Sequence, residues 1–451
     1  MTTDTICALA TAPGGALGII RVSGPEAFAA VSSICSIDCG AVAANTIHYT
    51  HVVSSEGEVT DEAMVSIFRA PHSYTGEDSV EISCHGSRYI LNKVLEALVQ
   101  NGCRMAAPGE YTQRAYLNGK MDLSQAEAVA DLIASANRAT HQMAMSQLKG
   151  HFSSELKKLR DQLLQLTSLL ELELDFSDHE DLEFADRTEL FTLANKIEQR
   201  ITQLADSFET GQALRNGIPV AIIGKTNVGK STLLNRLLGD ERAIVSDVHG
   251  TTRDTIEDTI DIDGIQFRFI DTAGIRQTSD EVEQIGIERT MQKIKEARIV
   301  LWLIDTQPTA EEQKEMAGLI GGKSHICIRT KADLIDTEAF TLQAAPTLFI
   351  SAKTGKGIEE LKNRILEEAH VTGLSSHEVI VTNARHYDAL VRAHDGIQHV
   401  IDGLSPNTTL PPDLLSEDLR LTLDILAEIT GGQITPQETL NNIFSHFCVG
   451  K

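Results

Sequence analysis

The stretch GKTNVGKS, residues 224–231, decides the fold of the central part of the chain. It follows the apolar run IPVAIIG, which is typical of a buried strand, and it opens a predicted helix. The pattern G-x-x-x-x-G-K-[ST] in that context is typical of a P-loop, whose backbone N–H groups surround phosphates. Gly224 and Gly229 stand where a side chain would obstruct that approach. The context favours a phosphate-binding loop over a glycine-rich turn without a ligand.

The region around this loop, residues 217–372, alternates apolar runs with amphipathic helical stretches. The apolar runs are IPVAIIG, IQFRFID, IVLWLID, HICIR and TLFI. This alternation is typical of a mostly parallel sheet with helices on both faces. We therefore predict an α/β P-loop domain over residues 217–372.

The segments on either side of this domain have different patterns. Residues 1–118 mix short β-like runs with Gly, Pro and Ser turn signals, which predicts an α+β domain. Residues 119–216 and 373–451 are both helical, and neither looks large enough to stand alone. We predict one discontinuous all-α domain into which the α/β domain is inserted. Its longest helix is indicated by leucines at three- and four-residue spacings: Leu156, Leu159, Leu163, Leu166, Leu170 and Leu174.

The charge balance limits how the protein can meet nucleic acid. The 451 residues carry 39 basic and 64 acidic side chains, a formal net charge of -25, which opposes binding through a broad electrostatic field. A nucleic-acid contact would have to be local, or a basic partner protein would have to supply the surface. An acidic surface also simply keeps a protein soluble.

The cysteines and the apolar runs bear on the compartment. The seven cysteines form no CxxC pair, which predicts reduced and mostly buried thiols, with Cys448 in FCVGK set apart. No apolar run is long enough to span a bilayer, and the N-terminal stretch lacks the pattern of an export signal. We expect a cytoplasmic protein without membrane contact.

Two further motifs complete a predicted phosphate and metal site. Lys230 of the P-loop would neutralise the β- and γ-phosphates, and Ser231 would place its hydroxyl on Mg²⁺. GTTRD, residues 250–254, offers Thr252 as a second Mg²⁺ ligand when a γ-phosphate is present. DTAG, residues 271–274, offers Asp271 to the outer shell of the metal and the Gly274 N–H to the γ-phosphate.

Two later motifs predict that the base is guanine. Asp333 in TKAD, residues 330–333, can accept hydrogen bonds from the N1 and N2 donors of guanine, which adenine lacks. SAK, residues 351–353, would support the base through backbone N–H groups. Thr330 stands where this motif usually has asparagine; because a hydroxyl makes only part of the contacts of an amide, we expect lower affinity, with discrimination resting on Asp333. The residues predicted to contact GTP are Asn227, Val228, Gly229, Lys230, Ser231, Thr232, Ser246, Asp247, Val248, His249, Gly250, Thr251, Thr252, Asp271, Thr272, Ala273, Gly274, Thr330, Lys331, Asp333, Ser351, Ala352 and Lys353.

Longer signatures extend over the whole chain. The N-terminal region contains GIIRVSG, YTGEDSVEISCHG and APGEYTQRAYLNGKMDLSQAEAV, the centre contains DTAGIRQTSDEVEQIGIER, and the terminus is IFSHFCVGK. With these signatures the chain resembles the MnmE (TrmE) family of tRNA-modification GTPases, with a Ras-like α/β P-loop G domain. The resemblance implies that, with the FAD-dependent partner MnmG in a heterotetramer, it installs an aminomethyl or carboxymethylaminomethyl group at C5 of the wobble uridine (U34) of tRNA.

The resemblance also implies a folate site and a homodimer. In the family the N-terminal domain dimerises and binds the tetrahydrofolate derivative, 5-formyl- or methylene-tetrahydrofolate, that supplies the one-carbon unit. The matching positions are Arg21, Glu81, Lys120 and Lys451. The residues alone would favour surface charges without a ligand at these positions. For Cys448, a chemical role and packing of the terminal segment both stay open.

The trigger of hydrolysis is a further expectation from the resemblance. Ras-like proteins carry a water-orienting glutamine after DTAG, whereas this chain has Ile275. The resemblance implies that Glu283 orients the water instead, although acidic residues there could simply complement a helix N-terminus. Arg276 would hold the loop, so the predicted catalytic residues are Glu283, Lys230 and Arg276. The implied K⁺ ligands, in place of an arginine finger, are Asn227, Ser246, Val248 and Thr251.

Two rival functions share some of these motifs. A ribosome-assembly or translation GTPase without modification chemistry would carry the same G motifs, but the sequence shows no recognisable RNA-binding module. A folate-dependent enzyme that is merely regulated by GTP would need no flavoprotein.

Overall fold

The computed structural model describes residues 4–54, 57–175, 187–239, 258–270, 291–334, 347–369, 379–405, 410–432, 437–445 and 447–450. The chain divides into two units. The first unit comprises Met1–Ala134, Ala144–Gln199 and Arg392–Lys451, and the second comprises Ser135–Met143 and Arg200–Val391. The domain limits at residues 118, 216 and 372 stay a prediction.

The first unit contains one sheet built from the N-terminal strands. These are β1 (Thr5–Leu9), β2 (Leu17–Ser23), β3 (Thr46–Val53), β4 (Val59–Phe68), β5 (Ser79–His85) and β6 (Cys103–Met105). Their order is β3-β4-β5-β2-β1-β6, and the pairs are antiparallel except for the parallel pair of β1 and β6. Helices α1 (Ala27–Ile34) and α2 (Arg88–Gln100) contact this sheet. Alternate strand residues such as Ile20, Val65 and Ile82 form the core with Leu98, which confirms the predicted α+β class.

A series of helices follows this sheet. They are α3 (Glu110–Leu117), α4 (Leu123–Ala134), α5 (Arg138–Leu148), α6 (His151–Asp175) and α7 (Arg187–Asn216). The predicted leucine face lies on α6, where the side chains from Leu156 to Leu170 in the series are buried; the Leu174 side chain is outside the described part. The long helix is therefore confirmed.

The second unit contains a mostly parallel sheet. Its strands are β7 (Ile218–Gly224), β8 (Asp258–Ile262), β9 (Ile265–Phe269), β10 (Ile299–Ile304), β11 (Ser324–Arg329) and β12 (Thr347–Phe349), in the order β12-β11-β10-β7-β9-β8. The described helices that flank it include α8 (Lys230–Gly239), α9 (Ala310–Ile320) and α10 (Ile358–Glu368). Successive residues Ile222 and Ile223 belong to two different apolar clusters, one with Leu361 of α10 and the other with Ile320 of α9. Because neighbouring strand residues point to opposite faces, helices cover both sides as predicted.

The apolar-run pattern does not predict β8. This strand pairs antiparallel with β9 through the loop Asp263-Gly264, in which the φ values are 53° and 79°. Two consecutive residues with positive φ are typical of the type I′ turn that joins tightly paired strands. The sequence signal that could have predicted this hairpin is the Asp-Gly pair that follows DTIDI, in which polar and apolar residues alternate.

Three helices after the α/β region complete the first unit's described part. They are α11 (Ala384–Leu404), which lies across the division between the units, α12 (Pro412–Thr430) and α13 (Gln437–Ser445). Helix α12 packs on α6, and Arg420 pairs with Glu171 at 2.8 Å. Phe444 of α13 shares a cluster with Leu123 of α4. Helices from before and after the α/β region therefore pack together, as the discontinuous helical domain requires. No helix in the described ranges is both long and apolar enough to cross a membrane.

Candidate functional site

The P-loop joins the end of β7 to the start of α8. Gly224 has a φ of 149° and Gly229 a φ of 104°, conformations that favour glycine. A Cβ at Gly224 would lie 2.5 Å from the Leu303 carbonyl oxygen, so the close approach of β10 also requires glycine there. Asn227 has a φ of 61°, in the left-handed region that asparagine tolerates better than most residues. The shape of the loop therefore depends on the residue types at these positions.

Lys230 bends back over this loop from the first turn of α8. Its Nζ donates to the Gly224 carbonyl at 2.6 Å and to the Lys225 carbonyl at 2.8 Å. Burial, and secondarily the positive charge of Lys293, lowers the pKa of Lys230. An anion beside the ammonium would offset both effects, because an opposite charge favours the charged form. With the positive end of the α8 dipole and the Ser231 and Thr232 positions in the same turn, the loop is suited to phosphate.

A second contact fixes the start of the loop. The Lys225 ammonium lies 2.5 Å from Glu312 Oε1 in α9. The other oxygen of Glu312 accepts from the Thr309 N–H, while the Thr309 hydroxyl accepts from the Glu312 N–H, which completes a capping box. One carboxylate therefore both caps the N-terminus of α9 and pairs with a lysine of the P-loop.

Thr330 connects the predicted base-reading loop with the P-loop. It follows β11 and is 5% exposed. Its hydroxyl donates to the Val228 carbonyl at 2.7 Å, and its N–H donates to the Ile304 carbonyl at 2.9 Å. The next residue, Lys331, has a φ of 58° and pairs with Asp305 at 2.9 Å. The ends of β7, β10 and β11 are thereby joined at one edge of the sheet.

Asp333 presents an exposed carboxylate on this loop. A hydrogen bond from Ser351 lowers the pKa of Asp333, so the group is an ionised acceptor at neutral pH. Ser351 is buried and its N–H donates to the Lys356 carbonyl at 2.9 Å, which fixes the SAK segment. An ionised acceptor here matches the paired N–H donors of guanine.

The structure thus brings the described part of the predicted GTP set to one edge of the second unit's sheet. The P-loop contributes Asn227, Val228, Gly229, Lys230, Ser231 and Thr232, and the base region contributes Thr330, Lys331, Asp333, Ser351, Ala352 and Lys353. The other predicted residues lie outside the described residues: Ser246, Asp247, Val248, His249, Gly250, Thr251, Thr252, Asp271, Thr272, Ala273, Gly274, Arg276, Glu283 and Lys451.

A pocket lies beside two charged residues in the sheet of the first unit. Arg21 of β2 is paired in register with Glu81 of β5, and its Nε and Nη2 both reach Glu81 Oε1, at 2.9 and 2.8 Å. The Arg21 guanidinium also lies 5.7 Å from the centre of the Tyr74 ring. The pocket measures about 90 Å³ and is lined by Arg21, Phe68, Tyr74, Thr75, Ser79 and Glu81. Phe68 and Tyr74 were missed by sequence reasoning, since only the strand pairing brings them beside the two charged residues.

Lys120 does not line this pocket but lies against the segment that carries Tyr74 and Thr75. Its Nζ donates to the Pro71 carbonyl at 2.8 Å, and a Cβ on Gly76 would meet its aliphatic chain at 3.3 Å. Lys120 therefore lies against the segment of residues 71–76, which carries Tyr74 and Thr75 into the pocket. Three of the four predicted folate residues are thus within one region of the first unit.

The terminal segment packs against this region. Arg21 Nη1 donates to the Gly450 carbonyl at 3.1 Å, and Gly450, with a φ of 90°, leaves no room for a Cβ beside the Leu9 carbonyl. Cys448 is exposed, and the other six cysteines are buried free thiols, as predicted. Of the two possibilities left open for the terminal segment, packing is observed.

Comparison with known proteins gives matches at both the domain and the chain level. Residues 5–120 match the family model for the GTP-binding protein TrmE N-terminus, and residues 123–448 match the model for the MnmE helical domain. The tRNA modification GTPase MnmE of Phocaeicola vulgatus is 52% identical over 99% of both chains, and that of Bacteroides thetaiotaomicron is 53% identical over 100% of both. Among solved structures, the G domain of the T. maritima FeoB iron transporter is 26% identical and covers 34% of this chain and 99% of its own, with a TM-score of 0.26 that supports no argument about fold. Matches of this identity and coverage show that the chain belongs to the MnmE (TrmE) family of tRNA modification GTPases.

Proposed function

We propose that this protein hydrolyses GTP as part of tRNA modification, and that with MnmG it installs the aminomethyl or carboxymethylaminomethyl group at C5 of the wobble uridine. The observation that carries the proposal is identity of 52–53% to proteins named tRNA modification GTPase MnmE over the length of both chains. A match restricted to the G motifs would not separate this function from that of a ribosome-assembly GTPase. Because the proposed substrate is tRNA, we infer that the protein acts in the cytoplasm.

The second unit's sheet edge supports the GTPase part of the proposal. Lys230 would neutralise the β- and γ-phosphates, and Asp333 would accept from the two donors of guanine. Mg²⁺ would be held by Ser231 and Thr252. The oxygen donors Asn227, Ser246, Val248 and Thr251 would hold K⁺, a cation for which neutral oxygen ligands are suited. When bound, these ions supply positive charge against the charge that develops on the phosphates.

Glu283 is proposed to orient the attacking water in place of the glutamine that Ile275 replaces. Replacing Glu283 with alanine would then abolish turnover while GTP affinity stays nearly unchanged. If K⁺ belongs to the site, turnover is faster in KCl than in NaCl, and Asn227→Ala loses that difference. Equal rates in the two salts would remove the potassium site from the proposal without affecting GTP binding.

The pocket of the first unit supports the folate part. Glu81 offers a carboxylate to the amide-like donors of a pterin ring, and Phe68 and Tyr74 offer aromatic faces beside it. Lys120 and Lys451 would pair with the carboxylates of the glutamyl tail. Arg21 is already bonded to Glu81, so its proposed part is to orient that carboxylate. The chain would act as a homodimer through its N-terminal domain.

Reconstitution tests the whole proposal. The full chain is combined with MnmG, tRNA, methylene-tetrahydrofolate, FAD, NADH, GTP and KCl, and wobble uridine is analysed by nucleoside mass spectrometry. Modification that depends on the chain and is lost in Lys230→Ala is the expected result. GTP hydrolysis without modified uridine would instead favour the ribosome-assembly function, and folate turnover that needs no MnmG would favour a folate enzyme regulated by GTP.

A further inference from the structure

The hydrogen-bond donors of Thr330 are all directed into the protein. Its hydroxyl carries one proton, which is donated to the buried P-loop residue Val228 through that residue's carbonyl at 2.7 Å. The Ile304 carbonyl lies 3.3 Å from the same hydroxyl and already receives the Thr330 N–H at 2.9 Å. A threonine has no further polar donor. Thr330 therefore donates one bond to the P-loop and one to the end of β10, and it has no proton left for a ligand.

Guanine presents two kinds of groups to a protein. Its N1 and N2 groups donate, and these suit the ionised Asp333. Its O6 and N7 atoms accept, and reading them requires donors from the protein. Among the described residues, the Ala352 and Lys353 N–H groups donate no hydrogen bond, so they are available for O6. No such donor is available for N7 from Thr330.

We propose that Thr330 is a positioning residue that ties the base-reading loop to the P-loop, and that guanine N7 is not read at this position. The proposal rests on the proposed GTP site. An asparagine has two amide protons and could hold the Val228 carbonyl and a base acceptor together, whereas threonine must commit to one. Specificity for guanine then rests on Asp333 and the SAK segment.

The test uses an analogue that differs from GTP at one atom. In 7-deaza-GTP a C–H group replaces N7, so any hydrogen bond to N7 is removed while the other base groups stay. Dissociation constants of GTP, 7-deaza-GTP and ATP are measured for the full-length protein by competition with a fluorescent guanine nucleotide. One hydrogen bond changes affinity by about 2–13-fold. If the dissociation constant of 7-deaza-GTP exceeds that of GTP by less than about twofold, the proposal is supported, and a difference of about twofold or more overturns it.

Variants of Thr330 separate its two roles. Thr330→Val removes the hydroxyl and keeps the shape of the side chain. Because the buried Val228 carbonyl loses its hydrogen-bond donor, GTP and 7-deaza-GTP should both bind about tenfold more weakly, by the same factor. Thr330→Ser keeps the hydroxyl and should recover most of the binding that Thr330→Val loses. Thr330→Asn should raise the ratio of 7-deaza-GTP to GTP above the wild-type ratio. A Thr330→Val effect on GTP alone would contradict the tie to the P-loop.

Failure of the proposed function gives a different result. If ATP competes as well as GTP, the site does not read guanine, and the assignment of Asp333 falls with it. If GTP is preferred over ATP and 7-deaza-GTP is rejected, the guanine site stands and only the inference about Thr330 is wrong. The wild-type comparison decides the inference even if a Thr330 variant does not fold.

Discussion

Arg21 and Glu81 face each other across β2 and β5, and two N–H groups of the guanidinium reach the same carboxylate oxygen, Oε1. The arginine thus fixes the carboxylate at the wall of the pocket, and in the proposed folate site the second oxygen of Glu81 would accept from the ligand. Arg21 and Glu81, which the sequence predicts together as folate residues, therefore have different proposed roles: the arginine orients the carboxylate, and the carboxylate contacts the ligand.

Glu81→Gln should weaken folate binding by about tenfold or more, because an ionised acceptor is replaced by a neutral amide. Binding of 5-formyl-tetrahydrofolate is measured by titration calorimetry. The KM for GTP should not change, because the P-loop belongs to the second unit. Unchanged folate affinity in a folded Glu81→Gln protein would remove this residue from the site.

Asp333→Asn should exchange the base preference of the protein. Xanthine has a C2 carbonyl in place of the amino group of guanine, and an amide can donate to that carbonyl. We expect the KM for GTP to rise roughly 10–100-fold and xanthosine triphosphate to become the better substrate, since hydrogen bonds to charged groups are the stronger ones. Phosphate release with both nucleotides measures the change, and a variant that keeps its preference for GTP would contradict the assignment of Asp333.

Gly224→Ala should abolish nucleotide turnover and lower the melting temperature. The added Cβ would lie 2.5 Å from the Leu303 carbonyl, and the φ of 149° disfavours any side chain. Gly239→Ala in α8 is the matched control, because no atom of the described residues lies within 4 Å of its added Cβ. Thermal unfolding and GTP hydrolysis of the two variants distinguish a specific steric effect from a general cost of replacing glycine.

Glu110 gives the first unit a predictable response to acid. Burial raises the pKa of this carboxyl, but hydrogen bonds from Arg104, the Ala107 N–H and Arg114 outweigh burial and hold the pKa below its usual value near 4.5. A carboxyl with a depressed folded pKa stabilises the fold above its unfolded pKa, and the contribution is lost as pH falls through the folded value.

Glu110→Ala should therefore lower the free energy of unfolding by about 1.5–3 kcal/mol at neutral pH, because the buried Arg114 loses one charged partner and keeps Asp4 and Glu77. The difference from wild type should shrink as the pH falls below about 4.5. Urea unfolding at several pH values measures it. Glu96→Ala, which breaks an exposed pair with Lys93, should cost less than about 1 kcal/mol. An equal loss in the free energy of unfolding for Glu110→Ala and Glu96→Ala would show that the ion pairs of Glu110 do not stabilise the fold more than an exposed pair does.

One of the seven thiols should react quickly with a thiol reagent, and the other six should react slowly. Cys448 is exposed, whereas burial raises the pKa of Cys35 to about 12 and that of Cys327 to about 11. Since the thiolate is the reactive form, a thiol reagent at neutral pH should modify one cysteine of the native protein. Mass spectrometry of the labelled protein identifies it, and Cys448→Ser should abolish the fast phase.

Local patterns in the sequence account for much of the fold. The P-loop and the leucine face of α6 can be predicted because each depends only on the spacing of residues that are close together in the sequence. The strand β8 was missed because DTIDI is mostly polar and short, although the following Asp263-Gly264 pair was a usable turn signal. What local spacing could not predict is the pocket beside Glu81, because Phe68 and Tyr74 reach it only through strand register. The hydrogen-bond partners of Thr330 likewise depend on which strands are neighbours in the sheet, and a local sequence pattern does not predict that order.

The bond between Arg21 and the Gly450 carbonyl joins residues that are 429 positions apart in the chain. A ribosome that adds about 5–20 residues per second needs roughly 20–90 s to synthesise that interval. For this time the strands of the first unit exist without the segment that closes against Arg21. A nascent chain can therefore form its N-terminal sheet early, but Arg21 gains its bond to the terminal segment only after the whole second unit has been translated.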